Sequence, residues 1–119
     1  MRIAVTTTGT APSASVDRRF GRAQRFLIVD TGSDTVEVVD NTQNLQAAQG
    51  AGIQAAQNVA DADVDVLLTG HVGPKAFATL QAAGITVVTG AAGTVEEAVA
   101  AFLAGEIRPA AQADVNGHW

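Results

Sequence analysis

The 119-residue sequence contains no cysteine. This absence excludes disulfide bonds and any zinc or iron–sulfur site that is held by protein thiolates. Aromatic residues are also scarce, at 4%, which argues against a stacking platform for single-stranded nucleic acid. Long apolar runs are missing at the start of the chain, where the run at residues 3–5 is too short for a signal peptide or a membrane span. We therefore expect a cytoplasmic chain with no membrane partner.

Positive charge is in short supply, since 7 lysine and arginine residues face 12 acidic residues and leave a net charge of −5. Proteins that bind nucleic acid or anionic membranes nonspecifically normally carry the opposite sign, so we expect no nucleic-acid partner. Four of the basic residues nevertheless fall close together. They are Arg18, Arg19, Arg22 and Arg25. An acidic chain with one local arginine cluster indicates a small anionic target.

Two interpretations of this arginine cluster stay open. Most of the basic residues are arginine, whose weakly hydrated planar fork suits oxo- or thio-anions better than the ammonium group of lysine does. The alternative is a solvated loop in which the arginines pair with Asp17 and Asp30. The first interpretation predicts an anion site on the connection over residues 7–24, since connections of this length in a compact domain are usually functional or mobile.

The most informative stretch covers residues 64–84, VDVLLTGHVGPKAFATLQAAG. Its apolar, β-branched start predicts a strand over 64–68 that is buried on both faces. Two glycines then break the pattern, and Pro74 suits the first position of a helix. Gly84 can end that helix in a left-handed conformation. A buried strand that leads through a glycine turn into a helix presents unpaired N–H groups at its carboxyl end, where anions are favoured.

The whole pattern predicts one α/β domain with the order β-β-β-α-β-α-β-α. The predicted strands cover 2–6, 26–30, 35–40, 64–68 and 85–88, and the predicted helices cover 50–62, 74–83 and 94–104. The first three strands are antiparallel, while the later βαβ steps are parallel and right-handed. We expect a mixed five-stranded sheet in the order 3-2-1-4-5 with helices on both faces, which is a ribonuclease H-like three-layer fold. The domain is expected to cover residues 1–105, and residues 106–119 are expected to form a flexible tail.

The apolar spacing also predicts which side chains enter the core. The inward residues are Ile53, Ala56, Val59 and Ala60 on the first helix and Val95, Val99, Phe102 and Leu103 on the last. Thr94 and Glu97 form a capping box at the start of the last helix. Phe20 is expected to pin the long connection to the core. Val36 and Val38 alternate with polar residues, so the third strand is expected at an edge with one wet face.

Ligands bind such sheets beyond the carboxyl ends of the strands. Residues 6–10 and 69–74 are expected to meet there, beside the arginine loop and residues 50–52. The candidate binding residues are Thr7, Thr8, Arg18, Arg19, Phe20, Arg22, Gly50, Ala51, Gly52, Gly70, His71, Val72, Gly73 and Pro74. His71 is also the candidate metal ligand. The alternative for His71 is a turn residue whose ring bonds a neighbouring carbonyl.

Residues that would support catalysis are not evident in the sequence. The first strand carries no carboxylate, whereas ribonuclease H-like nucleases need carboxylates there to hold two metals. The alternating Asp61, Asp63 and Asp65 are expected in a solvated turn at the opposite edge of the sheet. Neither a phosphate-loop or dinucleotide-binding glycine pattern nor a Ser/His/Asp set occurs. We therefore expect a binding protein and not an enzyme.

Three motifs in order resemble one known family. They are RFGRA at 19–23, GAGIQAA at 50–56 and GHVGPKAF at 70–77, followed by AGI at 83–85. Over residues 1–105 the chain resembles the NifX-type domains of the dinitrogenase iron–molybdenum-cofactor-binding family. The resemblance implies a ribonuclease H-like fold without nuclease chemistry, and a role in carrying or inserting metal–sulfur clusters. Small cysteine-free members, which this chain resembles most, hold a molybdenum–copper–sulfide cluster noncovalently.

The resemblance and the arginine cluster lead to one hypothesis and one alternative. The hypothesis is a monomeric carrier or assembly factor for an anionic metal–sulfur cluster, of the molybdenum–copper–sulfide type or of the related iron–molybdenum–sulfur type. The residues do not specify the protein that donates or accepts the cluster. The alternative is a binding or regulatory module for an ordinary small anion, such as a phosphorylated metabolite.

Overall fold

A computed structural model describes residues 1–41 and 51–110. The elements follow the chain as β1 (Arg2–Thr7), a 3-10 turn (Phe20–Arg22), β2 (Arg25–Asp30), β3 (Thr35–Asp40), α1 (Ala51–Asp61), β4 (Val66–Leu68), α2 (Pro74–Ala82), β5 (Thr86–Val88) and α3 (Val95–Leu103). The predicted order of strands and helices is confirmed. The observed strand and helix ends lie within about two residues of the predicted ones, which is the usual uncertainty of such boundaries.

The five strands form one sheet in the predicted order, β3-β2-β1-β4-β5. β1 is antiparallel to β2 and parallel to β4, which is parallel to β5. The strands β1, β4 and β5 therefore end at the same edge of the sheet, which we call the carboxyl edge. Thr7 at the end of β1 pairs with Arg25 at the start of β2, and Arg25 pairs with Asp40 at the end of β3. The strand that precedes each helix therefore ends at the carboxyl edge.

The helices cover the sheet from both sides. The core on the α1 and α2 side includes Ala4, Phe26, Ile28, Leu67 and Val87 from the sheet. The core on the α3 side includes Ile3, Val5, Leu27, Val66, Leu68 and Val88. Successive residues of β1 therefore point to opposite faces and are buried on both, as expected for a central strand between two layers of helix.

Four of the residues that are predicted to point inward are not fully buried: Ile53, Ala60 and Phe102 are partly buried, and Leu103 is exposed. Leu103 is 55% exposed, because it is the last residue of α3, and Ala98 is buried on that helix instead. Ile53 on α1 is only partly buried, whereas Ala55 is fully buried. The short alanine side chains let both helices pack close to the sheet, so the bulkier residues at the margins of the apolar stripe stay near solvent.

β3 is an edge strand, as predicted, but both of its faces are largely exposed, including the one that carries the two valines. Val36 and Val38 are 46% and 43% exposed, whereas Val39 packs against the core on the α1 and α2 side. The core under α3 takes its described strand residues from β1, β2, β4 and β5. The face of β3 that carries the two valines therefore extends past the helix that covers its neighbours.

The start of α3 carries the predicted capping box. Thr94 Oγ1 accepts the N–H of Glu97 at 3.2 Å, and Glu97 Oε1 accepts the N–H of Thr94 at 2.9 Å. The hydrogen bond from the Thr94 backbone lowers the pKa of Glu97. Because this pKa is lower in the folded than in the unfolded chain, the stabilisation is present above the unfolded pKa and is lost as the pH falls through the folded pKa.

The opposite edge of the sheet contains the exposed aspartate turn that the sequence predicts. The backbone N–H of Arg2 donates to Asp65 Oδ2 at 2.8 Å, and Arg2 Nη2 donates to the carbonyl of Ala62 at 2.8 Å. These bonds fix the start of β1 to the turn between α1 and β4. Within residues 1–41 and 51–110, no group of three histidine, aspartate or glutamate side chains is placed to hold a metal ion.

Residues 106–110 lie against the sheet. The N–H of Ala110 donates to the carbonyl of Val87 in β5 at 2.8 Å, and Ile107 packs against the core on the α3 side. The remainder of the predicted tail, residues 111–119, lies outside the described residues, so the domain boundary at Gly105 stays a prediction. In the described part of the chain, every helix is too short or too polar to span a membrane.

Two truncated chains test the domain boundary. A chain of residues 1–105 should still unfold in one cooperative transition, because the capped α3 is complete, but it should be about 1–3 kcal/mol less stable than a chain of residues 1–110. The loss has two sources, the hydrogen bond to Val87 and the apolar contact of Ile107. Thermal and urea unfolding measure both properties. A broad, noncooperative transition for the 1–105 chain would show that residues 106–110 belong to the domain.

Candidate functional site

The ends of β1 and β4 meet at the carboxyl edge through buried hydroxyl groups. Thr6 Oγ1 and Thr69 Oγ1 lie 2.9 Å apart, and Thr6 Oγ1 donates to the carbonyl of Asp17 at 2.6 Å. Both threonines are fully buried. Because the single hydroxyl proton of Thr6 is used for the carbonyl of Asp17, the hydroxyl of Thr69 must donate to Thr6. The bond from Thr6 to Asp17 fixes the start of the arginine segment, residues 18–22, to the sheet. The expected meeting of residues 6–10 with residues 69–74 is confirmed.

The loop over residues 8–17 occupies the N-terminus of α3. The N–H of Val95 donates to the carbonyl of Ala14, and the N–H of Glu96 donates to the carbonyl of Pro12, each at 2.9 Å. Thr7 is buried, and its hydroxyl donates to the carbonyl of Ser15 at 3.1 Å. Since its first N–H groups are paired with this loop, α3 does not present a free positive end to a ligand.

A short parallel pairing joins the arginine segment to the glycine turn after β4. The N–H of His71 donates to the carbonyl of Arg18 at 2.8 Å, and the N–H of Phe20 donates to the carbonyl of His71 at 3.2 Å. Arg19 and His71 are the paired residues of this bridge, so their side chains lie next to each other on the same side of the pairing. Two of the predicted motifs, RFGRA and GHVGPKAF, are therefore in direct backbone contact.

Gly70 makes this backbone contact possible. A Cβ atom at Gly70 would lie 2.6 Å from the carbonyl oxygen and 2.7 Å from the Cα of Arg18. Both of those atoms belong to the main chain, so no side chain can move aside to make room. The glycine is therefore required for the close approach of the arginine segment.

The 3-10 turn gives the arginine segment one side that faces solvent and one side that faces the core. The N–H of Arg22 donates to the carbonyl of Arg19 at 3.2 Å, and residues three apart in such a turn eclipse each other. The hydrogen bond keeps Arg22 within one turn of Arg19, and therefore near His71, with which Arg19 is paired. Arg19 is exposed, and Arg22 and His71 are partly exposed. We call this outward side, formed by Arg19, Arg22 and His71, the cationic surface; its positive charge lies on the two arginines, with the exposed Arg18 beside them.

Phe20 and Val72 lie on the inward side. Both are fully buried in the core under α1 and α2, and the ring of Phe20 lies 5.9 Å from that of Phe26. Phe20 therefore pins the connection to the core, as predicted. In this arrangement the two candidate binding residues anchor the cationic surface from below and do not contribute exposed area to it.

Arg25 differs from the other arginines of the cluster. Its Nη1 donates to the carbonyl of Thr8 at 3.2 Å, and its Nε lies 3.5 Å from Asp40 Oδ1. The charge of Arg25 is thus partly balanced within the sheet. Asp30, which the alternative interpretation names as a partner of the arginines, instead accepts the N–H groups of Gly32 and Ser33, and these hydrogen bonds lower the pKa of Asp30. Thr8 is exposed next to this arginine.

The N-terminus of α2 lies directly after His71 in the chain. Gly73 is its N-cap and makes no side-chain capping bond, and Pro74 occupies the first turn. Pro74 has no N–H, so the first donors that can face a ligand are the N–H groups that follow it. The positive end of the α2 dipole therefore adds to the charge of the neighbouring arginine segment.

The remaining candidate residues belong to the start of α1. Gly50 lies outside the described residues, and Ala51 is the first residue of α1. A Cβ atom at Gly52 would lie 3.2 Å from the Cβ of Ala76, so this glycine lets α1 approach α2 closely. Gly52 therefore has a packing role that the sequence pattern did not distinguish from ligand contact.

Three buried polar residues at this edge were not predicted. Thr6 is the last residue but one of β1, Thr69 directly follows β4, and Asn41 directly follows β3; all three are fully buried. Each fixes part of the arginine segment or its neighbours by hydrogen bonds. A signal was present in the sequence, because a short polar residue directly after an apolar strand lies at the edge where loops must be fixed.

The arrangement defines a class of protein. A rigid α/β domain presents arginine forks, one histidine and an uncapped helix N-terminus on one surface, and these groups recognise anions without acid–base chemistry. Residues 1–105 match the dinitrogenase iron-molybdenum cofactor family. The chain belongs to this family.

Solved structures of related proteins agree with this assignment. The orange protein from Desulfovibrio gigas, solved in its apo form, is 49% identical, with 96% of each chain covered and a TM-score of 0.93. A putative NifB protein from Thermotoga is 41% identical, with 91% of each chain covered and a TM-score of 0.79. An uncharacterised protein from Methanocaldococcus jannaschii is 28% identical over 91 residues, which cover 74% of this chain and 76% of that protein.

Replacing one glycine tests the backbone contact. Gly70→Ala should lower the stability of the chain by about 1–3 kcal/mol, because the new methyl group collides with the main chain of Arg18. Urea unfolding measures this difference. The matched control is Gly32→Ala, whose new methyl group meets only Asp30 Oδ1 at 3.4 Å and should change stability by less than about 0.5 kcal/mol. Equal stability of the two variants would contradict the close approach.

Proposed function

We propose that this chain binds an anionic metal–sulfur cluster noncovalently at the carboxyl edge and carries it between other proteins. The observation that carries the proposal is the cationic surface of Arg19, Arg22 and His71, beside the uncapped N-terminus of α2. The family assignment supports a metal-cluster role. The similarity to the orange protein favours a molybdenum–copper–sulfide cluster over the related iron–molybdenum–sulfur type.

The chemistry of the donor set fits a cluster that brings its own sulfide. The chain has no cysteine, so metals cannot take thiolate ligands from it. A thiomolybdate-type cluster has its metal coordination filled by inorganic sulfide and leaves a net negative charge on the outside. Arginine N–H groups and backbone N–H groups can then bind the sulfide surface without replacing any ligand.

His71 can act in this site in two ways. A ring N–H can donate to a sulfide of the cluster, and a ring nitrogen can ligate a copper ion in a cluster where the sulfides leave one position of that copper open. The backbone of His71 is already fixed by its bonds to Arg18 and Phe20. The ring can therefore take up either role without any change in the path of the chain.

A phosphorylated metabolite is the alternative ligand, and the same geometry gives it some support. An uncapped helix N-terminus next to arginines is a general phosphate site, and α2 has both features. The cluster is coloured and presents soft sulfide atoms, whereas the phosphorylated metabolite is colourless and presents hard oxygen atoms. Competition between inorganic phosphate and bound thiomolybdate distinguishes the two ligands. Displacement of the thiomolybdate only at high millimolar phosphate favours the cluster, whereas displacement at micromolar phosphate favours the metabolite.

Loss of two arginines tests the charge contribution. The probe is tetrathiomolybdate with copper(I), and binding is followed by visible absorption. Arg19→Ala with Arg22→Ala should weaken binding by about a hundredfold or more, since two charge-assisted hydrogen bonds are lost. Binding to the wild-type chain should also weaken as salt is added.

The matched control for charge is a pair of single variants. Arg19→Ala and Arg108→Ala change the net charge equally, but Arg108 lies on the segment that runs along β5. Only Arg19→Ala should weaken binding by roughly tenfold, while Arg108→Ala should leave the affinity within about twofold of the wild type. Equal affinities for all variants would remove the arginine segment from the site.

His71→Ala separates the two interpretations of the histidine. If the ring contacts the cluster, the variant should shift the visible bands of the bound probe or weaken its binding, while the melting temperature changes little. The melting temperature is expected to hold because the pairing with Arg18 and Phe20 uses only backbone atoms of His71. An identical spectrum and affinity would make His71 a turn residue.

A further inference from the structure

Asn41 is a fully buried polar residue that the proposed binding surface does not include. It follows β3 directly, and its backbone N–H donates to the carbonyl of Gln24 at 2.8 Å. Its side-chain Nδ2 donates to the carbonyl of Ala23 at 3.0 Å, and its Oδ1 accepts from Asn58 Nδ2 at 2.7 Å. The amide therefore connects the end of the arginine segment to β3 and to the middle of α1.

The orientation of this amide is determined by its partners. The carbonyl of Ala23 can only accept, so the nitrogen of the Asn41 amide must face it. The oxygen then faces Asn58, which must present its own nitrogen. No other arrangement satisfies all these groups, so the Asn41 side chain holds the main chain at Ala23 at a defined distance from α1.

Ala23 is the residue that ends the 3-10 turn. It is the C-cap of the turn, and its N–H donates to the carbonyl of Phe20. The other end of the arginine segment is fixed by the hydroxyl of Thr6 at Asp17 and by the pairing of Arg18 with His71. The outward arginines therefore lie between two fixed points, and Asn41 provides the second of them.

We propose that Asn41 is a positioning residue, which orders Arg19 and Arg22 for anion binding through its hydrogen bond to Ala23. This inference rests on the proposed function. An arginine that is already ordered before the ligand arrives loses less freedom on binding. The backbone bond of Asn41 to Gln24 and its side-chain bond to Asn58 fix the amide between β3 and α1, so its bond to Ala23 holds the end of the 3-10 turn at that place.

The opposing explanation is that the buried amide only stabilises the fold. A variant that is merely less stable still binds with normal affinity at temperatures where it is folded. The two explanations therefore differ in the affinity of the folded chain and in the local order of the 3-10 turn. A control variant of lowered stability elsewhere separates them.

The experiment compares Asn41→Ala with Val99→Ala at a temperature where both are folded. Val99 is buried under α3 on the other face of the sheet. Hydrogen exchange of the ligand-free chains is measured at the N–H groups of Arg22 and Ala23. The internal reference is the N–H of Asp65, which donates to the carbonyl of Arg2 at the opposite edge of the sheet. Binding of tetrathiomolybdate with copper(I) is measured on the same samples.

In Asn41→Ala, exchange at Arg22 and Ala23 should become roughly tenfold faster relative to Asp65, and the probe should bind between about twofold and tenfold more weakly for each arginine that must be reordered. Val99→Ala should change neither. Unchanged exchange at the turn, or faster exchange with unchanged affinity, would overturn the proposal.

A second variant keeps the test valid if Asn41→Ala does not fold. Asn58→Ala removes only the partner of the Asn41 oxygen and leaves the bond to Ala23, so it should show the same two changes at smaller size; normal exchange and affinity there would count against the proposal. If the wild-type chain does not bind the probe, the proposed function fails. The exchange measurement then still decides whether Asn41 orders the turn.

Discussion

The backbone contact between Arg18 and the turn at Gly70 and His71 is the constraint on which the rest of the site depends. It needs a residue without a Cβ atom, because the main chain of Arg18 lies within 2.7 Å of where that atom would be. The contact turns a connection of the usual mobile kind into an extension of the sheet. Once it forms, the arginines on one side and the N-terminus of α2 on the other must face the same space.

This constraint explains how the proposed anion binding is compatible with an acidic chain. The net charge of −5 opposes the approach of an anion from a distance, so the attraction has to be local. The structure concentrates it where strand ends, arginine forks and a helix N-terminus meet. The acidic residues of the turn before β4 lie at the opposite edge, where Asp65 accepts the backbone N–H of Arg2. Two carboxylates do lie near the arginines: Asp40 pairs with Arg25, and Asp17 Oδ1 accepts the backbone N–H of Arg19 at 3.0 Å.

The fold could be predicted because its signals are local. The buried run before Thr69, Pro74 at the start of α2 and the capping box at Thr94 each depend on near neighbours in the chain, and each is confirmed. The site is harder to predict from the sequence, because its residues are held in place by contacts between distant parts of the chain. Asn41 is not among the predicted residues, since its partners Ala23 and Asn58 are 18 and 17 positions away in the chain. The exposure of Val36 depends on where α3 ends over the sheet, which no local pattern specifies.

The central claim is that the carboxyl edge binds a preassembled metal–sulfur cluster. Metal and sulfide analysis of the chain, purified from its own cells without chelators, tests this claim most directly. The account predicts a coloured protein, with visible charge-transfer bands and with molybdenum and inorganic sulfide in fixed proportion to the chain. A colourless protein that contains no metal and carries a phosphorylated metabolite at the same surface would contradict it.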